Sequence, residues 1–375
     1  MNSAWWGDPV IICPLGSSLK EITSKIVDGE VAYRKLSENE LFSGFPAVYA
    51  GKMTLLNHKN NYYKAESILE NLLNREELKN HKDVDAVLMY YKCGSYYEHT
   101  RTNHFLPKQD STSAYNILAA QQFNVFKENV FVFDNTCASG LSLLSIAMNG
   151  VVSKLWKKVL VVAIDLIELR ELFSIMSLGA MANPRLSGDR YVEKPFDKKR
   201  NGFIKSESAS AAIVTIDPTC LKQSLGKIKS YHQTNDGFRI TDGRDDSLFI
   251  TKSMENALEK AKLIPQDLSF IKAHGTGTKL NDLHEANAIL KIFGNSIPVT
   301  SFKGSLGHTT DASGLVESIL ASYEFGNGRI IPTFGCTEKD FDLNIIQRPM
   351  VVQGKYYMSN AFGFGGNNLS VIFEI

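Results

Sequence analysis

The strongest constraint on folding is the way short Val- and Ile-rich runs alternate with longer helical stretches along the whole chain. VDAVLMYYKC (84–93), VFVFDNTC (130–137), KKVLVVAID (157–165) and SAAIVTID (210–217) read as strands buried on both faces. SGLSLLSIAMNGVVSKLW (139–156) between them reads as a helix. The second half repeats this alternation, with GKIKSYHQ (226–233), SFIKAHG (269–275) and IPVTSFKG (297–304) as expected strands. SMENALEKAKL (253–263) and DASGLVESILASYEF (311–325) are expected helices. The last segment, from 355 to 375, reads as two strands flanking a glycine-rich turn. This order implies α/β layers with largely parallel strands, arranged as two halves, 1–217 and 218–375. The charged segment KPFDKKRNGFIKSESAS (194–210) is expected to be a surface loop.

Composition narrows the classes of function. With 41 basic and 40 acidic side chains among 375 residues, the net charge is +1. That gives no overall electrostatic footprint for nucleic acid. No run of 18 apolar residues predicts a membrane span, and the N-terminus lacks the basic region and apolar core of a secretory signal. Five scattered cysteines without CxxC spacing argue against disulfides and a zinc site. A reducing cytoplasm is the expected location, where one cysteine could work as a thiol.

Three turns place reactive side chains at strand ends. In FVFDNTCASG an apolar strand runs into Cys137, and small residues beside it allow a tight turn into the next helix. Near a helix N-terminus a thiolate is favoured, and backbone N–H groups can bind an oxyanion. A buried cysteine that packs as a small hydrophobe is the competing reading. His274 in AHGTGT and His308 in GSLGHTTD also follow strands, each beside glycine. Either could be a hydrogen-bonded turn residue, but two such turns in one chain favour chemistry. The remaining histidines (His58, His81, His99, His104, His232 and His284) have no such setting, and most read as surface residues. A metal reading of the pair lacks a third ligand. The glycines of SNAFGFGGNN (359–368) would let backbone approach a ligand closely.

Taken in order, these segments resemble the β-ketoacyl-acyl carrier protein synthases of the thiolase-like superfamily. TCASG is similar to that family's nucleophile motif, and PFDKKRNGFIKSES to its PFDxxRxGFxxGEG loop. AHGTGT and KGSLGHTTDASG resemble its two histidine motifs, and SNAFGFGGNN its gate loop. The resemblance implies a five-layered αβαβα fold of two similar halves. It implies Cys137 as the acylated nucleophile, with His274 and His308 contacting a malonyl thioester. Lys303 would support the site electrostatically, and Glu317 would be a structural acid beneath it. Thr276 and Thr278 would bind a phosphopantetheine arm. Phe364 would be the gate, its N–H and that of Cys137 forming the oxyanion hole. The implied activity is decarboxylative condensation giving a 3-oxoacyl product, in fatty acid or specialised polyketide or polyene synthesis. The implied partners are acyl carrier protein and a second subunit, as a homodimer or a related heterodimer, with no cofactor beyond the carrier's phosphopantetheine. A non-catalytic chain-length partner and another thiolase-fold acyltransferase are the alternatives. The chain departs from the family pattern at Ser206 and Ser208, where glycine is usual, and at Asn367, where threonine is usual.

Overall fold

The computed structural model describes residues 3–36, 48–53, 61–92, 111–183 and 193–375. Its frame is an 11-stranded sheet. The strands are β1 (Ala4–Ile12), β2 (Ala86–Lys92), β3 (Val130–Val132), β4 (Lys158–Asp165), β5 (Ser208–Thr215) and β6 (Ser224–Asn235). They continue with β7 (Leu268–Lys272), β8 (Pro298–Thr300), β9 (Asn344–Ile345), β10 (Tyr356–Gly363) and β11 (Asn367–Glu374). Their spatial order is β9-β8-β7-β10-β11-β6-β1-β5-β4-β2-β3.

One topology occurs twice in that order. β5 is antiparallel to both β1 and β4, and β2 runs parallel to β4 and β3. Likewise β11 is antiparallel to both β6 and β10, and β7 runs parallel to β10 and β8. An antiparallel pairing of β1 with β6 joins the two sets.

The longer helices among the described residues cover this sheet. They are α1 (Leu19–Val27), α2 (Asn61–Leu73), α3 (Ser111–Phe123), α4 (Ser139–Val152), α5 (Leu169–Ser177), α6 (Leu248–Ala261), α7 (Lys279–Phe293) and α8 (Ser313–Gly326). α4 and α8 are buried on nearly every side, as helices of low amphipathicity must be. They pack on one another and on strands of both sets. α2 and α3 share a core with one set of strands, and α6 and α7 with the other. The result is five layers, helix–sheet–helix–sheet–helix, with the largest apolar core around the central pair.

That central contact requires glycine. A Cβ on Gly314 would lie 2.7 Å from the backbone nitrogen of Leu141, and one on Gly140 would strike the backbone nitrogen of Leu315. The first turns of α4 and α8 therefore meet backbone to backbone.

Several sequence expectations are corrected. The strand expected over 130–137 ends at Val132, because the chain must turn at Thr136 to enter α4. The strand expected over 297–304 ends at Thr300, and Lys303–Leu306 form one helical turn. The 194–210 segment is not a surface excursion. Lys194, Asp197, Arg200, Lys205 and Glu207 are all buried. Each has partners that make burial tolerable. Asp197 accepts hydrogen bonds from the backbone of Lys199, Thr337 and Glu338. Glu207 accepts from the backbone of Met53 and Ile167. His81 and His284 are buried rather than on the surface. His81 is 2.6 Å from the buried carboxylate of Asp8. His58, His99, His104 and Cys93 lie outside the described residues.

Candidate active site

The turn between β3 and α4 is the sharpest feature of the site. Thr136 has φ 51, a left-handed conformation that is costly for a β-branched residue. Hydrogen bonds hold it there. The Ser139 hydroxyl donates to the Thr136 carbonyl at 2.7 Å and accepts from the Asn135 N–H at 2.8 Å. The Thr136 hydroxyl donates to the carbonyl of Phe364 at 3.0 Å. The glycine-rich turn between β10 and β11 is thus fastened to the cysteine turn. The side chain presented at this bend is Cys137, which lines a cavity of about 520 Å³.

His274 follows β7 and lines the same cavity. Its N–H and that of Gly275 donate to the two carboxylate oxygens of Glu285, each at 2.8 Å. Asp282 accepts from the N–H groups of Thr276 and Gly277. Asp282 and Glu285 are three residues apart on α7 and so share a face. That face moulds the His274 loop. Thr276 and Thr278 line the cavity beyond it, their hydroxyl oxygens 2.9 Å apart.

His308 enters from the turn before α8. Its N–H donates to the carbonyl of Ile204 at 2.7 Å, and its carbonyl accepts from Ser206 at 3.0 Å. The buried 194–210 segment therefore sets its height. Phe203 meets the ring edge-on at 4.9 Å. The His274 and His308 rings lie 5.3 Å apart in a T-shaped arrangement. Neither Nδ1 has a hydrogen-bond partner among the described residues.

Behind the histidines, Glu317 lies between two lysines. Lys303 donates to Glu317 at 2.6 Å and to the His274 carbonyl at 2.7 Å. Lys272 donates to the other Glu317 oxygen at 2.7 Å and to the Asn360 carbonyl at 2.9 Å. All three charged groups are buried. Glu317 thus braces the lysines, rather than His308 directly.

Burial, with the positive charge of Lys303 next, holds both imidazoles well below the usual histidine range. Both rings are neutral near pH 7. Burial also pushes the Cys137 thiol up from its ordinary value, and the Asp311 carboxylate adds to the shift. Burial thus opposes the thiolate expected from the helix N-terminus. Desolvation outweighs the helix dipole together with the opposing pull of Lys92, Lys303 and Lys205.

The histidine shifts carry a stability consequence. A base whose folded pKa is depressed binds fewer protons in the native than in the unfolded chain below pH 6.5, the ordinary histidine value. Stability should then fall as pH drops from 7 toward 5. Urea midpoints measured at pH 7 and pH 5.5 should differ in that direction, and by less in the His274→Gln/His308→Gln double variant. An unchanged difference would assign the loss to other groups.

The model of the β-ketoacyl synthase C-terminal domain matches residues 225–337. A 3-oxoacyl-[acyl-carrier-protein] synthase 2 of Mycobacterium leprae (strain TN) is 33% identical over 187 residues, 48% of this chain and 44% of the relative. The chain is thus similar to β-ketoacyl synthases over its C-terminal part. It spans about half the length of the curated relatives it matches. A β-ketoacyl synthase from Burkholderia phymatum STM815 superposes with a TM-score of 0.85 over 100% of this chain and 99% of the other, at 20% identity. A ketosynthase from Xenorhabdus doucetiae, solved in complex with its chain length factor, gives a TM-score of 0.78 over 100% of this chain and 98% of the other, at 19% identity. These likenesses show the thiolase-like α/β fold that the family motifs imply.

Of the residues named from the motifs, Cys137, His274, His308, Thr276, Thr278 and Phe364 all line the one cavity. Lys303 and Glu317 stand behind it. Sequence reasoning missed Glu285, Asp282 and Lys272. The acidic pair had a usable signal, since both carboxylates fall at helical spacing just after the His274 turn. Lys272 had none, being one lysine within a strand.

Proposed function

We propose that the chain is an acyltransferase that condenses an acyl group held on Cys137 with a malonyl-type extender carried by acyl carrier protein. The convergence of Cys137, His274 and His308 on one cavity, with both imidazoles neutral, supports this reading most directly.

In the first step the Cys137 sulfur attacks the carrier thioester and its carbon–sulfur bond breaks. The thiol proton ends on the released phosphopantetheine sulfur. A raised thiol pKa suits a nucleophile that gives up its proton as it attacks, because the resting site then buries no unpaired charge. In the second step the extender's bond to its carboxylate breaks and CO2 departs. The electron pair moves into an enolate whose oxygen accepts hydrogen bonds from the imidazole N–H groups. The enolate carbon then attacks the acyl-Cys137 carbonyl, the new carbon–carbon bond forms, and the sulfur leaves and takes up a proton from water. The product is a 3-oxoacyl thioester on the carrier.

Thr276 and Thr278 are placed to bind the phosphopantetheine arm. Phe364 would act as the gate, and its N–H with that of Cys137 as the oxyanion hole. Lys303 and Glu317 fix the His274 loop, and no residue is assigned to a metal. The reading leads to fatty acid or specialised polyketide or polyene synthesis. A subunit boundary is also proposed. Among the described residues β3 is the outermost strand on its side of the sheet, with its own Val132 39% exposed and Phe126, just before it, 79% exposed. A second subunit, identical or related, would cover such an edge.

The test uses malonyl- and acyl-carrier protein with mass spectrometry of the product. His274→Ala and His308→Ala should each lower formation of the 3-oxoacyl product by about 10²–10³-fold while Cys137 is still acylated. Full condensation in both variants would sink the proposal.

A further inference from the structure

Beside Cys137 the cavity wall is charged, which is unexpected for a site meant to hold a saturated chain. Lys92 at the end of β2, Glu171 on α5 and Asp311 in the turn after His308 all line the cavity. Lys92 donates to Glu171 at 2.9 Å and to Asp311 at 3.0 Å. Tyr90 donates to Asp311. Behind them the buried Lys205 pairs with Asp165 and bonds Thr310, and lies 3.6 Å from the second oxygen of Glu171. Asp311 and Lys92 are near enough to Cys137 for their charges to act on its thiol in opposite senses.

This cluster has unused hydrogen-bonding capacity beside the cavity. Lys92 has three donors and makes two hydrogen bonds here, with its side chain 28% exposed. The Glu171 Oε2 is buried and accepts no hydrogen bond from the described residues. Glu171, Ile175 and Leu178 line the cavity at positions i, i+4 and i+7 along α5 and its C-terminal end, and so share one face. A chain lying along that face meets apolar groups at one end and the ion pair at the other.

We propose that Lys92 and Glu171 select the acyl group, favouring chains that carry a hydroxyl or keto oxygen close to the thioester over saturated chains of equal length. A saturated chain would strip water from Lys92 and Glu171 and return no hydrogen bond. An oxygen substituent accepts from Lys92, and a hydroxyl can also donate to the Glu171 carboxylate. Charged partners make such bonds stronger than neutral ones. The inference rests on acylation of Cys137. The acyl group passes to sulfur, and the thiol proton passes to the departing pantetheine sulfur.

Octanoyl-pantetheine and 3-hydroxyoctanoyl-pantetheine are the probes, with the acyl-Cys137 adduct followed by intact mass. The 3-hydroxy probe should acylate the wild-type protein about tenfold faster, the scale of one hydrogen bond to a charged group. Glu171→Leu should bring the ratio close to one. Should that variant fail to fold by circular dichroism, Glu171→Gln should shrink the ratio at least about threefold. Equal rates, or faster octanoyl transfer, in the wild-type protein would overturn this inference and leave the Cys137 assignment standing. A ratio unchanged by either variant would overturn the role of Glu171. No adduct from either probe would overturn both readings.

Discussion

Cys137→Ala is expected to abolish acyl transfer. Intact mass should show no adduct after incubation with acyl-carrier protein, and the 3-oxoacyl product should fall by more than about 10³-fold, the scale on which losing a covalent nucleophile is felt. The reason is geometric as well as chemical. The bend at Thr136 brings Cys137 to the cavity that both histidines line, and the neighbouring hydroxyls are committed elsewhere. The Thr136 hydroxyl is bonded to Phe364 and the Ser139 hydroxyl to the turn's own backbone. Neither hydroxyl of this turn is free to substitute. The protein should stay folded, because only a sulfur atom is lost from the cavity wall. A persistent adduct would identify another cysteine as the acyl carrier. Cys220 is the first to check, since Cys13 and Cys336 are buried. It lies outside the cavity lining.

Glu317→Ala is expected to cost the most stability. It would leave Lys272 and Lys303, both fully buried, without their shared carboxylate. Removing one partner of a buried ion pair typically costs about 3–5 kcal/mol, and here two cations lose the same partner. Chemical denaturation should report a loss on that scale. Glu317→Gln, which keeps the shape and one acceptor, should lose less. A loss under about 1 kcal/mol, the range of an exposed pair, would mean that water reaches the lysines. Because Lys303 also holds the His274 carbonyl, condensation should fall further than stability alone accounts for.

Much of the architecture is legible in the sequence because strands buried on both faces leave a strong signal, although the sheet is mixed rather than largely parallel. The Val-rich runs at 84–92 and 157–165 form β2 and β4, and the terminal pair forms β10 and β11 around their glycine turn. The candidate site residues Cys137, His274 and His308 are legible for a related reason, since each stands where an apolar run breaks into glycine and small residues. The 194–210 segment misleads because charge pattern reports hydration only when charges lack internal partners. Asp197, Arg200 and Glu207 are satisfied by backbone and side chains far away in sequence, which a linear reading does not reveal. The ionisation state of Cys137 misleads for a similar reason. The helix N-terminus is a local feature, whereas burial and the Asp311 carboxylate come from tertiary packing. Lys92, Glu171 and Asp311 are invisible as a group in the sequence because β2, α5 and the turn before α8 meet only in the folded chain.

The close crossing of α4 and α8 sets how the two reactive turns can move. Cys137 stands just ahead of one helix and His308 just ahead of the other, and their first turns touch at Gly140 and Gly314 with no room for a methyl group. With backbone against backbone at this crossing, a displacement of one first turn meets the other directly. In the proposed condensation, the crossing would act as a gauge block setting the span between Cys137 and His308 that the enolate must bridge.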